Sequence, residues 1–270
     1  MAVISKGDVM AATGTGNFPF LGSVIMRLMK IDKFNRMMDE AGDLEGVDFS
    51  TFVLNFLGIT IKIDPEDLAQ IPATGSFLAV ANHPFGAIES LALLSLLVTA
   101  RPETLFMGNF LLKRVPNLEQ YVIAVNPFDS IKDTSSITGL KTTLNKLRSG
   151  VPVAIFPAGE VSAFDFKTRQ ITDREWHPVV GKIMERAKVP VLPVYFYGDN
   201  GIGFSLLRYV HKSLQTAMLP AELFNKKGMC LHVRIGKPIY PAESSKTASH
   251  AGQLLTASRA ATYALKEISI

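Results

Sequence analysis

The chain has 270 residues, 47% apolar and 19% charged, with a net charge of +4 and a mean hydropathy of +0.22. It is long enough to bury one substantial core, and it lacks an uninterrupted apolar run of about 18 residues, the least that a spanning helix needs, so association with a membrane without a clear span is expected. The mild basic excess suits anionic headgroups or an acidic carrier protein. Nucleic acid is disfavoured as a partner, because the aromatics lie among aliphatics and not in Lys/Arg stripes. The single cysteine, Cys230, rules out an internal disulfide and a cysteine-only metal site, and the first residues lack a basic-then-apolar leader, so a reducing compartment is expected.

Residues 1–17 are Gly/Thr-rich and are expected to be irregular. Residues 18–38 place Leu21, Val24, Ile25, Leu28, Met29 and Ile31 on one helical face, punctuated by Arg27, Lys30, Lys33 and Arg36. That pattern predicts either a helix lying in a membrane interface or an amphipathic helix packed on its own domain. A second apolar helix is expected over 48–57, an alternating strand over 59–63 and an exposed helix start over 64–67. Residues 1–58 thus read as a helical, membrane-docking segment and residues 59–270 as an α/β domain.

Residues 76–81 (SFLAVA) suit a buried strand and residues 89–100 (ESLALLSLLVTA) a buried helix, which leaves His83 on the turn between them. Pro84 biases His83 away from helical angles, and Gly86 permits a backbone angle that other residues avoid. A general base also needs a partner on its second ring nitrogen, and Glu89 is the nearest carboxylate. Within one regular helix six residues turn through roughly 600°, so the pair meets only if His83 lies ahead of the helix. From spacing alone, a hydrogen-bonded turn or core histidine is the alternative.

Further strands are expected over 104–107, 121–125 and 151–156, with helices over 109–114 and 135–147 and a turn over 126–129. The alternation predicts a mostly parallel mixed sheet flanked by helices, with its chemistry at the strand ends. There the loop 156–162 carries Pro157 and Gly159, whose turn exposes backbone N–H groups able to hold an oxyanion or a polar headgroup. A helix follows over 173–188 with Asp173 as its cap, and Trp176, His177 and Pro178 read as a helix start packed under the site. The two prolines of 189–196 argue for an edge strand, residues 198–203 for a flexible loop, 231–235 for a strand and 248–267 for a closing helix. His211, His232 and His250 show no metal-ligand spacing, and no Gly-x-Ser-x-Gly elbow of a serine hydrolase is present.

Together, the His83 turn, the Phe156–Ser162 loop and the 189–196 segment resemble the lysophospholipid acyltransferase superfamily over roughly residues 76–238. Its ordered blocks are a His-x4-Asp turn, a substrate loop, a Phe-Pro-Glu-Gly loop and a Val-Pro-x-x-Pro strand. Within it the chain is similar to the hemolysin-like branch that acylates lyso-ornithine or lyso-glycine lipids, through His83 to Glu89, Phe156 to Ser162 and Asp173 to Pro178. The phospholipid-making pattern is broken at four places: Ile88 then Glu89 replace the Asp, Ala158 the Glu, Val161 an Arg, and Asn126-Pro127 the segment that carries the second Arg. Bidentate Arg contacts are the usual means of holding phosphate, and Glu160 suits a cationic or donating headgroup unless it is solvated or paired with Arg169 or Arg174.

The resemblance implies a glycerolipid acyltransferase-like fold and an O-acyltransferase that uses His83 as base and Glu89 to orient it. Asn82, Gly86, Phe156, Pro157, Gly159, Glu160 and Ser162 would bind substrate. It also implies a lyso-lipid acceptor, acyl-ACP or acyl-CoA as cosubstrate, no bound cofactor or metal, and a peripheral or monotopic place on the cytoplasmic face of the inner membrane. A lysophosphatidic acid acyltransferase, a thioesterase and a non-catalytic lipid-binding protein are the alternatives.

Overall fold

The computed structural model describes residues 7, 19–109, 112, 115–125, 134–210, 212–241 and 249–267. The irregular start, most of the 109–114 helix and the 126–129 turn fall outside them, as do His211 and the side chain of His250. Helices α1 (Pro19–Leu28), α2 (Ile31–Ala41) and α3 (Gly46–Phe56) precede strand β1 (Thr60–Ile63), a one-turn helix α4 (Pro65–Leu68) and strand β2 (Leu78–Ala81). Next come α5 (Ile88–Ala100), β3 (Leu105–Asn109), a 3-10 segment (Pro116–Tyr121), β4 (Val122–Val125), α6 (Thr134–Arg148) and β5 (Val153–Ile155). A hairpin of β6 (Ala163–Asp165) and β7 (Gln170–Thr172) leads to α7 (Pro178–Ala187), β8 (Val191–Phe196), α8 (Gly201–Val210), α9 (Lys212–Asn225), β9 (Cys230–Ile235) and α10 (Ser249–Ala264).

The main sheet runs β1-β9-β8-β2-β5-β3-β4, every pair parallel except β8 with β9. The expected mostly parallel mixed sheet is therefore present, and its central strands are continuous apolar runs because both faces are covered. Along β2 the two-residue period sorts side chains between the layers. Ala79 and Ala81 join α2, α3 and α5, whereas Leu78 and Val80 join α6, α7 and α10. Ile88, Leu93 and Leu97 of α5 are at most 1% exposed. Each such side chain contributes about 1.5–3 kcal/mol of transfer free energy, and together they lock the helix that carries Glu89 to the sheet.

Several expected elements differ in the structure, among them the exposed helix start over 64–67, whose Asp67 is buried and paired with Arg234. The single helix over 18–38 is two, broken where Lys30 takes a left-handed φ of 54°. The break turns Met29 and Ile31 inward, onto Ala217 and Met218 of α9, while Val24 and Leu28 stay exposed. Helices α2 and α3 share the core of the sheet, through Met37, Met38, Phe49, Val53 and Leu57. Strand β8 is central and wholly buried, not an edge, despite its prolines. Pro190 precedes the strand, and Pro193 serves through its carbonyl, which accepts the Gly236 N–H at 2.9 Å, so its missing donor is tolerated. The 198–203 stretch is a short ordered link into α8, fixed by buried Asn200, whose Nδ2 donates to the Phe85 carbonyl at 3.0 Å.

Candidate active site

Strands β2 and β5 are parallel neighbours, and the loops that leave their C-terminal ends meet. Asn82 continues β2 toward β8: its Nδ2 donates to the Phe196 carbonyl at 2.8 Å and its Oδ1 accepts the Phe196 N–H at 2.7 Å. At 4% exposure, with both polar atoms engaged by Phe196, the amide joins strands. The chain then turns through His83 to Ala87, and α5 starts at Ile88, so His83 lies ahead of the helix as the pairing requires.

Glu89 is fully buried, and one of its oxygens closes the turn. Oε1 accepts the N–H groups of Phe85 at 2.8 Å and Gly86 at 2.7 Å and stands 2.9 Å from His83 Nδ1. Two backbone donors thus fix the carboxylate that faces the imidazole. Nδ1 itself is buried, so the 15% of the His83 side chain that remains exposed belongs to the rest of the ring. Phe156 stacks on one face of that ring, with centroids 4.1 Å apart and planes 23° apart. Gly86 has φ +94°, and a Cβ there would meet Leu219 Cδ2 at 2.6 Å and Val161 Cγ2 at 2.9 Å. Only glycine lets the turn pass beneath α9 and the second loop.

The second loop is pinned from a distance. Ser162 donates its N–H to the His83 carbonyl at 2.8 Å and its Oγ to Asp173 Oδ1 at 2.5 Å. The same Oδ1 accepts the His83 N–H at 3.1 Å, and Oδ2 accepts Trp176 Nε1 at 3.2 Å. Asp173 is therefore not a helix cap. His177 caps α7, its Nδ1 accepting from the Val179 N–H at 3.2 Å, while Asp173 is a buried clamp joining both loops. Burial pushes its carboxyl above the usual range, against the pull of the Ser162, His83 and Trp176 donors. Tyr263 holds the clamp from behind through the Asp173 N–H at 3.0 Å, and burial beside Asp173 raises that phenol's pKa too.

Within the loop Pro157 accepts the His177 N–H at 2.9 Å, and the Gly159 N–H closes a turn on the Phe156 carbonyl at 3.0 Å. Glu160 forms ion pairs with Arg174 at 3.1 Å and with the mostly buried Arg208 at 3.0 Å. Its charge is thereby met by the buried Arg208 and the exposed Arg174, which leaves it poorly placed to attract a cationic headgroup. An open cleft of about 380 Å³ lies alongside, bordered by Phe164, Thr172, Asp173, Arg174, Arg208 and Tyr209. Val161 is 8% exposed, and Ala158 packs on the core beside Trp176. Among the described residues no group of three or more His, Cys, Asp or Glu side chains is arranged to hold a metal ion.

Sequence reasoning brought out His83, Glu89 and the 156–162 loop, and the structure assembles all three. It missed Asp173 and Arg208 as parts of the site. The position of Asp173 next to the Arg-Glu-Trp-His-Pro run was its only local signal.

Known proteins resemble the chain over most of its length. The family described as acyltransferase covers residues 19–269. A lyso-glycine lipid O-acyltransferase of Bacteroides thetaiotaomicron is 28% identical over 228 residues, 82% of this chain and 80% of that one. A protein of the same name from Phocaeicola vulgatus is 27% identical over 228 residues, 82% of this chain and 78% of its own. In fold, the chain is similar to the 1-acyl-sn-glycerophosphate acyltransferase PlsC of Thermotoga maritima, with a TM-score of 0.50 and 15% identity over 92% of this chain and 88% of that one. The chain belongs to the acyltransferase family and is an enzyme of that kind.

Proposed function

We propose that the protein moves a fatty acyl group from an acyl thioester, carried by acyl carrier protein or coenzyme A, to the hydroxyl of a lyso-aminolipid of the lyso-glycine or lyso-ornithine kind. The observation that carries this reading is the His83–Glu89 pair at the end of β2, with Nδ1 2.9 Å from the buried carboxylate and the His83 side chain 15% exposed. Nε2 takes the hydroxyl proton as the oxygen attacks the thioester carbonyl, and Glu89 steadies the imidazolium. The tetrahedral oxyanion falls to N–H groups of the 156–162 loop that its internal turn does not use. When the intermediate collapses the thiol leaves, and the proton returns through His83. The thioester is already activated, so the chemistry calls for no covalent enzyme intermediate.

The acceptor class rests on Ala158 and Val161, where phosphate-using relatives of the superfamily carry Glu and Arg. Both positions here are apolar and packed inward. A lost charge-assisted contact is worth about 1.5–3 kcal/mol, so lysophosphatidic acid is expected to be the poorer acceptor by about tenfold or more. Arg174 and Arg208 at the cleft favour the second reading, a lysophosphatidic acid acyltransferase. A side-by-side kcat/KM for lysophosphatidic acid and lyso-glycine or lyso-ornithine lipid, with one donor, separates the two. Equal values or a preference for the phosphate would end the aminolipid assignment.

Residues 1–58 remain, on this reading, the part that first docks on the membrane, through exposed Val24, Leu28 and Arg27 of α1. Among the described residues no helix is long and apolar enough to cross a bilayer. A peripheral or monotopic place on the cytoplasmic face of the inner membrane fits a lipid acceptor and a soluble thioester donor.

A further inference from the structure

Helix α8 is apolar on the side that faces away from the protein. Ile202, Leu206 and Tyr209 recur at i, i+4 and i+7, one helical face, and are 54%, 37% and 57% exposed, whereas Phe204 and Ser205 are buried on the opposite face. The hairpin tip joins this stripe. Phe166, 62% exposed, meets Tyr209 edge-on at 5.1 Å and Phe164 at 5.2 Å, and the Tyr209 hydroxyl donates to the Phe164 carbonyl at 2.8 Å. Hairpin and helix therefore form one ridge. Four large apolar side chains held together in water mark an interaction surface and not chance exposure.

We propose that this ridge, the β6–β7 tip with the outer face of α8, is a second docking surface, whose partner is the interface of an anionic lipid bilayer. The charges around it fit that partner. Lys167 and Arg169 are exposed on the tip beside Phe166. Of the neighbouring acids, Glu160 is met by its two arginines, whereas Asp165, which accepts the Lys167 N–H at 2.8 Å and the Thr168 hydroxyl at 3.1 Å, and Asp199, which accepts the Gly201 N–H at 2.6 Å, keep their charge beside the two cations. Aromatic and aliphatic side chains beside exposed cations are the composition of interfacial anchors.

The ridge's position also serves the reaction, and here the inference rests on the lipid acyltransferase reading. Phe164 and Tyr209 border the cleft together with Asp173, whose Oδ1 accepts the backbone N–H of His83. A lyso-lipid leaving the bilayer at the ridge would enter there without its chain crossing water. Helix α9 links the ridge to the N-terminal helices, since it follows α8 directly and packs on Ile25, Met26 and Met29 through Ala217 and Met218.

The test uses the full chain and vesicles of phosphatidylcholine with and without phosphatidylglycerol. Phe166→Gln, Ile202→Gln and Leu206→Gln together should lower partition onto the anionic vesicles by at least about tenfold, while turnover of a lyso-lipid presented in detergent micelles stays at the wild-type level. Phe166→Trp gives a direct readout, because the chain's one tryptophan, Trp176, is buried. Its emission should shift to the blue on anionic vesicles and be quenched by bromine-labelled acyl chains, with the wild type unaffected. Wild-type binding by the triple variant, an unquenched Trp at 166 on vesicle-bound protein, or a wild type that binds neither vesicle would overturn the proposal. Absence of acyl transfer to any lyso-lipid would remove the functional reading, while binding and quenching would still decide the surface.

Discussion

Two loops leave neighbouring strands at the site, and they are held by opposite means. The turn after β2 is closed from within, because Glu89, six residues past His83, gathers two backbone donors and the imidazole on one oxygen. The loop after β5 is held from outside, by an Asp173 that binds Ser162 and the His83 backbone and is itself held by Tyr263 and by Arg259, whose Nη2 donates to the Asp173 carbonyl at 3.2 Å. A local carboxylate orients the ring, and a remote one sets where the ring stands relative to the loop across from it. On the proposed mechanism chemistry and alignment fall to different residues, and substitutions should separate them.

The largest effect is expected from His83→Ala. It removes the base while Glu89 keeps its two backbone donors, so acyl transfer should fall by about 10³-fold or more with the unfolding temperature little changed. Retention of a tenth of the rate would reassign the base. Glu89→Gln comes next. Its amide oxygen can still accept from Phe85 and Gly86, but the ring loses its anionic partner, and kcat should drop by about 10²-fold with a small change in stability. An unchanged kcat would reduce Glu89 to a turn residue.

Asp173→Asn should show the inverse pattern. One face of the amide is a donor, and every group around the clamp also donates, so a buried bond is lost at about 1–3 kcal/mol. That corresponds to a fall of several degrees in unfolding temperature, whereas kcat should drop by less than about tenfold. If this variant lost as much kcat as Glu89→Gln at full stability, Asp173 would belong to the chemistry and the contrast between the loops would fail.

The same contrast explains what the sequence could tell. Glu89 lies only six residues past His83, so strand, turn residues and helix onset were enough to pair them. Of the partners of Asp173 only Trp176 is near in sequence; His83 and Ser162 lie 90 and 11 residues away, and no period in the local sequence encodes them. Pro193 misled for a related reason: proline is excluded from a central strand only where its N–H would be needed, and that depends on neighbours brought in by topology. The expected 18–38 helix breaks at Lys30 because α9, nearly 190 residues on, offers Met29 and Ile31 a buried face, and long-range packing outweighs local periodicity.

The smallest expected effect, the pH dependence of the clamp, tests which force dominates at Asp173. Burial raises its pKa above the ordinary 3.8, although three donors oppose it. Between that value and the raised native one, the folded protein keeps a proton that the unfolded chain has released. Stability falls with rising pH wherever the native state binds more protons, so the clamp's contribution is greatest at acid pH and declines as pH rises through the native pKa. Asn at 173 cannot titrate. The stability margin of the wild type over Asp173→Asn, read from urea unfolding at a series of pH values, should therefore be widest near the unfolded pKa and narrow upward. A margin that widened with pH would mean that the Ser162, His83 and Trp176 donors outweigh burial, making the clamp a strongly held carboxylate.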